Sequence, residues 1–177
     1  MPKSCKHLPF LKGKKLTAQH LEFEHIVQVN DPNNPGVSAI TRAQLWQGLV
    51  LRARCPQRFV EGIECFAHPQ TETGFVREIT AGEMCFYEDV TLEHEARVLT
   101  QTQADKPQIF AASGATIEEP EPGFLFVRFR YVREMPAEHG AVDVAEHLKA
   151  AYRQLDTDAI SLIRLMAEDN SFDSIVN

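Results

Sequence analysis

The sequence predicts an α+β fold in which a curved antiparallel β-sheet wraps around one long C-terminal α-helix. Three observations lead there. From Ala141 to Asp169, Val144, Leu148, Ala151, Tyr152, Leu155, Ala159, Leu162, Ile163 and Met166 recur at three- and four-residue steps. They form one apolar stripe, with Glu146, Lys149, Arg153, Arg164 and Glu168 off it. At ~1.5 Å per residue the segment is about 40 Å long, so it needs a broad apolar surface to lie on. Between Ile63 and Arg133, six short segments rich in aromatic or β-branched residues alternate with turn signals. A run of strands followed by a helix indicates α+β rather than a parallel α/β sheet.

The elements follow in order. Leu21–Asn30 alternates Leu21, Phe23, His25, Val27 and Val29 with mostly polar neighbours, the pattern of a half-buried strand. DPNNPG is turn chemistry. Thr41 then caps a helix, with Gln44 as its capping-box partner and Ile40 stapled onto Leu45. Leu45, Trp46, Leu49, Val50 and Ala53 make its inner face, and Pro56 ends it. PQRFV adds a short helical turn, so one or two short helices follow the first strand. IECFAH, GFVREIT, EMCFYEDVTL, ARVLTQTQ, QIFAASGATIE and FLFVRFRYVR are the strands, and their short connections imply an antiparallel meander.

Composition narrows the function. With 177 residues, 44% of them hydrophobic and 24% charged, the chain reads as one ordinary globular domain. Residues 1–20 hold five lysines and no acid, and are expected to be a disordered leader or tag; the domain spans 21–169 and the tail 170–177. Beyond the leader, 13 basic and 25 acidic residues give a formal net charge of −12. Such a surface repels phosphate backbones, which argues against nucleic acid as a partner. No apolar run approaches the ~18 residues of a membrane span, so stable membrane insertion is not expected. Cys5, Cys55, Cys65 and Cys85 are scattered, without a CxxC pair, and are expected to be reduced, which suggests the cytoplasm.

The segments FEHIVQVNDP, TRAQLWQGLVLRARCPQRFVEGIE, GFVREIT, DVTLEHEARV and AYRQLDTDAISLIRLM resemble the helix-grip superfamily of START lipid-binding domains and birch-pollen-allergen-like proteins, also called SRPBCC. The similarity covers roughly residues 21–168 and is nearest to a bacterial-type branch labelled as a domain of unknown function. It implies an apolar cavity between sheet and C-terminal helix. Members bind lipids, sterols, polyketides or plant hormones, and some catalyse polyketide cyclisation. No short catalytic motif underlies these roles, so the resemblance speaks to fold more than to activity.

Turn chemistry suggests two registers. A two-residue corner at Gly82–Glu83 sets Ala81 opposite Met84, Ile79 opposite Phe86, Arg77 opposite Glu88 and Phe75 opposite Val90. Arg77 and Glu88 are then the only charges on an otherwise apolar face, where pairing offsets their desolvation. A five-residue turn at 119–123 sets Glu118 opposite Phe124, so Ile109, Ala111, Ser113, Ala115 and Ile117 share a face with Leu125, Val127, Phe129 and Tyr131. Small residues facing a helix that carries Ala151 and Ala159 either bring helix and sheet into contact or leave space, and a ligand-sized cavity is the expectation.

The ligand-binding candidates are therefore Phe75, Arg77, Ile79, Phe86 and Glu88 from one hairpin, Ser113, Phe129 and Tyr131 from the other, and Leu148, Tyr152 and Leu155 from the helix. No HExxH, Cys/His ligand spacing, GxGxxG, GxxxxGK[ST] or GxSxG occurs, so neither a metal nor a cofactor is expected. Glu93-His94-Glu95 reads as a solvated turn, His25 as a half-buried histidine, and Arg128 and Arg130 as surface residues. The favoured function is binding or carriage of a small hydrophobic or amphipathic molecule (lipid-, sterol- or polyketide-like) by a monomer or homodimer. The alternative is a cyclase- or dehydratase-like enzyme in which Arg77, Glu88, His25 or Tyr131 moves protons or stabilises an anion. A partner-binding protein with a filled cavity is the third reading.

Overall fold

The computed structural model describes residues 19–135, 141–169 and 172. The leader and tail expectations fall almost wholly outside them; only Gln19, His20 and Phe172 are described, the first two as the start of β1. Strand β1 (Gln19–Gln28) is followed by α1 (Arg42–Arg54), a 3-10 turn (Pro56–Arg58), strands β2 (Ile63–Ala67), β3 (Gly74–Ala81), β4 (Met84–Glu93), β5 (Arg97–Thr102), β6 (Ala111–Glu118) and β7 (Phe126–Met135), and α2 (Ala141–Glu168). All seven strands form one antiparallel sheet in the order β1-β7-β6-β5-β4-β3-β2. The meander expected from the short turns is present, and β1 closes its far edge by pairing with β7, Phe23 facing Tyr131 and His25 facing Phe129. The fold is α+β, with the sheet holding the C-terminal helix.

Local chemistry sets the ends of α1. Thr41 Oγ1 accepts from the Gln44 N–H while Gln44 Oε1 accepts from the Thr41 N–H, a reciprocal capping box. Ile40 and Leu45 are both buried beside it. Asn30 ties the preceding turn down, donating to the Ile40 carbonyl at 2.7 Å and accepting from its N–H at 3.1 Å. From α2, the Arg164 guanidinium donates to the carbonyls of Val29 and Ser38, so the last helix clamps both ends of the same loop.

The β3–β4 register is the expected one, Ala81 opposite Met84 through Gly74 opposite Thr91, with Gly82 at φ 62° supplying the positive φ that a two-residue hairpin requires. The β6–β7 register differs. Glu118 faces Phe126 rather than Phe124, a slip of two residues. The Leu125 carbonyl accepts from the Val29 and Asn30 N–H groups at 2.7 and 3.0 Å, which draws Phe124 and Leu125 out of the β6–β7 ladder. Because side chains alternate with period two, the slip leaves every residue on its expected face.

The apolar stripe of α2 is buried only in its C-terminal half. Ala159, Ile160, Ile163, Met166 and Ala167 are in the core, whereas Val144 is 51% and Leu155 36% exposed. This corrects the expectation of a helix gripped along its whole length. The buried half packs on α1 and β1, and α1 comes close because residue 48 is glycine. A Cβ there would lie 2.5 Å from Ile163 Cγ2. Cys55 and Cys65 are free thiols, while Cys85 is disulfide-bonded, which corrects the expectation of four reduced cysteines; scattered spacing holds no pairing information. Among the described residues no helix is long and apolar enough to cross a membrane.

The gripped half therefore carries the stability of α2. Ile163→Ala should cost ~2–5 kcal/mol in urea unfolding and Val144→Ala less than ~0.5 kcal/mol. Gly48→Ala should cost ~1–3 kcal/mol by overpacking, and adding Ile163→Val should recover part of it.

Candidate functional site

The concave face of the sheet, α1 and the middle of α2 line a partly open cavity of about 210 Å³. Its apolar walls include Leu49, Phe59, Val98, Phe129 and Leu155; its polar groups are Arg52, Arg77, Thr100, Ser113, Tyr131 and Tyr152. The space exists because β6 offers only Ser113, Gly114 and Ala115 at this level. Thr100 and Ser113 face each other across β5 and β6, their hydroxyls 2.5 Å apart.

Behind one wall lies a buried polar cluster centred on Asp156, which is fully buried in α2. Asp156 Oδ1 accepts from Arg52 Nη2 of α1 at 2.6 Å, and Oδ2 from His25 Nε2 of β1 at 2.6 Å. The Tyr131 hydroxyl of β7 donates to the same carboxylate, 2.8 Å from each oxygen. A carboxylate only accepts, so His25 must carry its proton on Nε2. The ring is held for this by Phe23 and Phe129, stacked at 5.4 and 5.5 Å on either side. Arg52 also lies 5.4 Å over the Phe129 ring, and Tyr131 stacks on Tyr152 at 3.9 Å with 6° between the planes.

Burial pushes the Tyr131 phenol well above its ordinary value, with the Asp156 charge adding to the rise and Arg52 opposing it. Burial alone would lower the Arg52 guanidinium, but Tyr131 and Asp156, by charge and hydrogen bonding together, hold it above its ordinary value. Tyr131 stays a neutral donor at ordinary pH, so the charge that balances Arg52 is Asp156.

A second pair stands across the cavity. Arg77 faces Glu88 on the neighbouring strand, donating from Nε at 2.8 Å with Nη2 at 2.7 Å, while Nη1 donates to the Ala53 carbonyl at 2.5 Å. Both side chains are largely buried. Two of the five Arg77 N–H groups have no acceptor among the described residues, and Arg77 lines the cavity.

Of the residues that the sequence nominated, Arg77, Ser113, Phe129, Tyr131, Tyr152 and Leu155 line this cavity. Glu88 sits behind Arg77, one hydrogen bond away, and His25 is joined to Tyr131 through the Asp156 carboxylate that both contact. Phe75 is instead a core residue with the Arg54 guanidinium 4.9 Å over its ring. Ile79, Phe86 and Leu148 do not line this cavity, and Phe86 lines a separate pocket. Arg128 and Arg130 face out, Arg128 bonded to Glu24 and Glu118 and Arg130 near Glu22. At the Glu93-His94-Glu95 corner His94 packs edge-on to Trp46, and among the described residues no three His, Cys, Asp or Glu side chains converge as metal ligands.

Sequence reasoning missed Asp156 and Arg52. Asp156 interrupts the apolar stripe between Tyr152 and Ala159–Ile160, and Arg52 lies three residues past Leu49; an acid and a base each in line with an inner face was the available signal.

A seven-stranded antiparallel sheet gripping a C-terminal helix, with a partly open cavity between them, defines this protein as a helix-grip domain. Over residues 27–170 its sequence matches the family described as "Acetylaranotin biosynthesis cluster protein L", and the chain belongs to that family. No curated protein sequence matches it. Among solved structures it is similar to the di-domain aromatase/cyclase StfQ from the steffimycin biosynthetic pathway (TM-score 0.62, 8% identity), covering 86% of this chain and 52% of that one. The chain thus spans about half the length of that di-domain protein, as it does of BexL, the di-domain aromatase/cyclase from the BE-7585A pathway. It is also similar to the Zhui aromatase/cyclase from Streptomyces sp. R1128 (TM-score 0.58, 14% identity, 85% of this chain and 94% of that one). A norcoclaurine synthase from Thalictrum aligns with TM-score 0.57 at 11% identity, covering 87% of this chain and 99% of that one. At these identities the likeness is one of fold.

Two outcomes follow from the cluster. Asp156→Ala should cost ~3–5 kcal/mol, because it leaves Arg52 buried without a counter-charge, whereas Asp156→Leu combined with Arg52→Met should recover much of it in a double-mutant cycle. In an alkaline titration followed by phenolate absorbance, Tyr131 should ionise well above the ordinary tyrosine range, and Tyr131→Phe should remove that late step. The folded-state value lies above the unfolded ~10, so this group's stabilisation is full below about pH 10 and is lost as pH rises further.

Proposed function

We propose that this protein binds a small, mostly apolar molecule bearing oxygen functions, polyketide-like or aromatic, in the cavity between sheet and α2. The observation that carries this reading is the cavity itself. A partly open cleft of about 210 Å³ with apolar walls and a few convergent polar groups has the usual composition of a ligand site. It exceeds the about 150 Å³ that accommodates benzene in an engineered apolar cavity, and so suits a bicyclic body. The hydroxyls of Thr100 and Ser113 and the uncommitted N–H groups of Arg77 offer hydrogen bonds to ligand oxygens, with Glu88 keeping the guanidinium oriented. The family description refers to a biosynthesis cluster, and three of the similar structures are aromatase/cyclases; both support a biosynthetic intermediate as the ligand.

A second reading has its own observation. Arg52 and Tyr131 reach the cavity wall while Asp156 and His25 fix them from behind. A guanidinium and a phenol held in place can stabilise the enolate formed when a carbonyl compound cyclises or loses water. Asp156 already accepts from three side chains, so in this arrangement it positions donors rather than removing a proton. Tyr131, with its raised value, donates hydrogen bonds and gives up its proton only with difficulty. The cluster therefore favours anion stabilisation over general-base catalysis.

Native mass spectrometry of protein from its own host should recover a bound small molecule, unchanged after incubation for a binder and altered in mass for an enzyme. With a neutral bicyclic probe, 2-naphthol, Ala115→Leu should weaken binding at least about tenfold while the fold remains intact by circular dichroism. Unchanged affinity in that variant would remove the cavity as the site.

A further inference from the structure

Four of the arginines on the strands beside the cavity are paired. Arg77 bonds Glu88, Arg97 pairs with Glu93, Arg128 bonds Glu24 and Glu118, and Arg130 lies 3.8 Å from Glu22. Arg133 is the exception on β7. Its Nε is inaccessible to solvent and has no hydrogen-bond partner, and no ion pair reaches its guanidinium among the described residues. The residue is half-buried and its guanidinium keeps one N–H without an acceptor, a costly arrangement that calls for an explanation.

The place where Arg133 sits is built like a site. It lines a separate pocket of about 270 Å³ whose apolar surface comes from Met84, Phe86, Pro107 and Ile109. Met84 is 56% and Ile109 39% exposed, so apolar surface at the rim stands uncovered among the described residues. Lys106 adds a second cation, 5.2 Å over the Tyr87 ring, with Asp105 as a loose counter-ion at 3.9 Å. Glu83 is the one acid on the lining, at the exposed hairpin corner. Arg133 follows Tyr131 by two residues on the same strand face, about 7 Å along the sheet by strand rise. The pocket is thus the neighbour of the main cavity, and none of its lining residues is shared with it.

We infer that this pocket is a second binding site, for an amphipathic organic anion whose carboxylate is taken by Arg133 and whose apolar body lies on Met84, Phe86 and Ile109. A carboxylate fits because a guanidinium presents parallel N–H groups to its two oxygens, and Lys106 strengthens the local positive field. The apolar lining selects against small inorganic anions, which would leave it exposed. The inference stands independently of the reading of the main cavity.

The test uses the full chain and two probes of equal length, octanoate and octanol, by isothermal titration calorimetry. Octanoate should bind at least about tenfold more tightly than octanol. Arg133→Met should erase that preference through a loss of octanoate affinity of about tenfold or more, leave octanol within about threefold, and leave 2-naphthol within about twofold. Should Arg133→Met fail to fold, Met84→Glu serves instead, because this exposed position can present a carboxylate to Arg133 and should block octanoate by the same factor. Equal binding of octanoate and octanol, or octanoate affinity kept within about threefold in the folded variants, overturns the site. A protein that binds 2-naphthol without preferring octanoate loses this second site alone, and one with the reverse behaviour loses the first reading alone.

Discussion

The carboxylate of Asp156 is the constraint on which the arrangement of the molecule depends. It is fully buried near the middle of a 28-residue helix, and its three partners come from three other elements: Arg52 from α1, His25 from β1 and Tyr131 from β7. A buried charge is tolerated only where its hydrogen bonds are filled and its charge balanced. That requirement fixes the rotation and the axial position of α2 against both the sheet and α1 more narrowly than apolar packing can. An apolar stripe tolerates a slide or a small rotation; four polar groups with defined bond directions do not.

The same cluster divides α2 into two parts with different work. Beyond Asp156, Ala159, Ile160, Ile163, Met166 and Ala167 enter the core, and Gly48 lets α1 come close enough to meet Ile163. Before it, Tyr152 stacks on Tyr131, Arg153 covers Phe23 at 4.7 Å, and Leu155 faces the cavity while staying partly open to solvent. One end of the helix secures the fold and the middle forms a wall of the site. A cavity costs packing energy, and here that cost falls beside a rigid polar cluster and small β6 residues rather than within the dense core.

Electrostatics on the concave face follow one rule with one departure. Arg52 meets the buried Asp156 carboxylate and Arg77 the half-buried Glu88 carboxylate, so the charge of each cavity-lining arginine is balanced. Walls of this kind present hydrogen-bond donors without leaving an ion unbalanced. Arg133 breaks the rule at the neighbouring pocket. The two pockets therefore differ in the balance of charge on their walls.

Much of this was legible in the sequence, for reasons of period and turn chemistry. Alternation marked β1, the three-and-four repeat marked α2, and Thr41 with Gln44 marked the start of α1, because each signal acts within a few residues. The two-residue corner at Gly82–Glu83 set Arg77 opposite Glu88, since a short turn admits one register. The longer turn before β7 did not, and its register was decided by Leu125 bonding to Val29 and Asn30, almost a hundred residues away in sequence. Asp156 likewise looked like one more charge on a long helix. Only the packing of α2 against α1, β1 and β7 brought Arg52, His25 and Tyr131 around it, because partners so distant in sequence leave no local pattern; the tertiary fold alone turned an interruption in a stripe into the centre of a buried polar cluster.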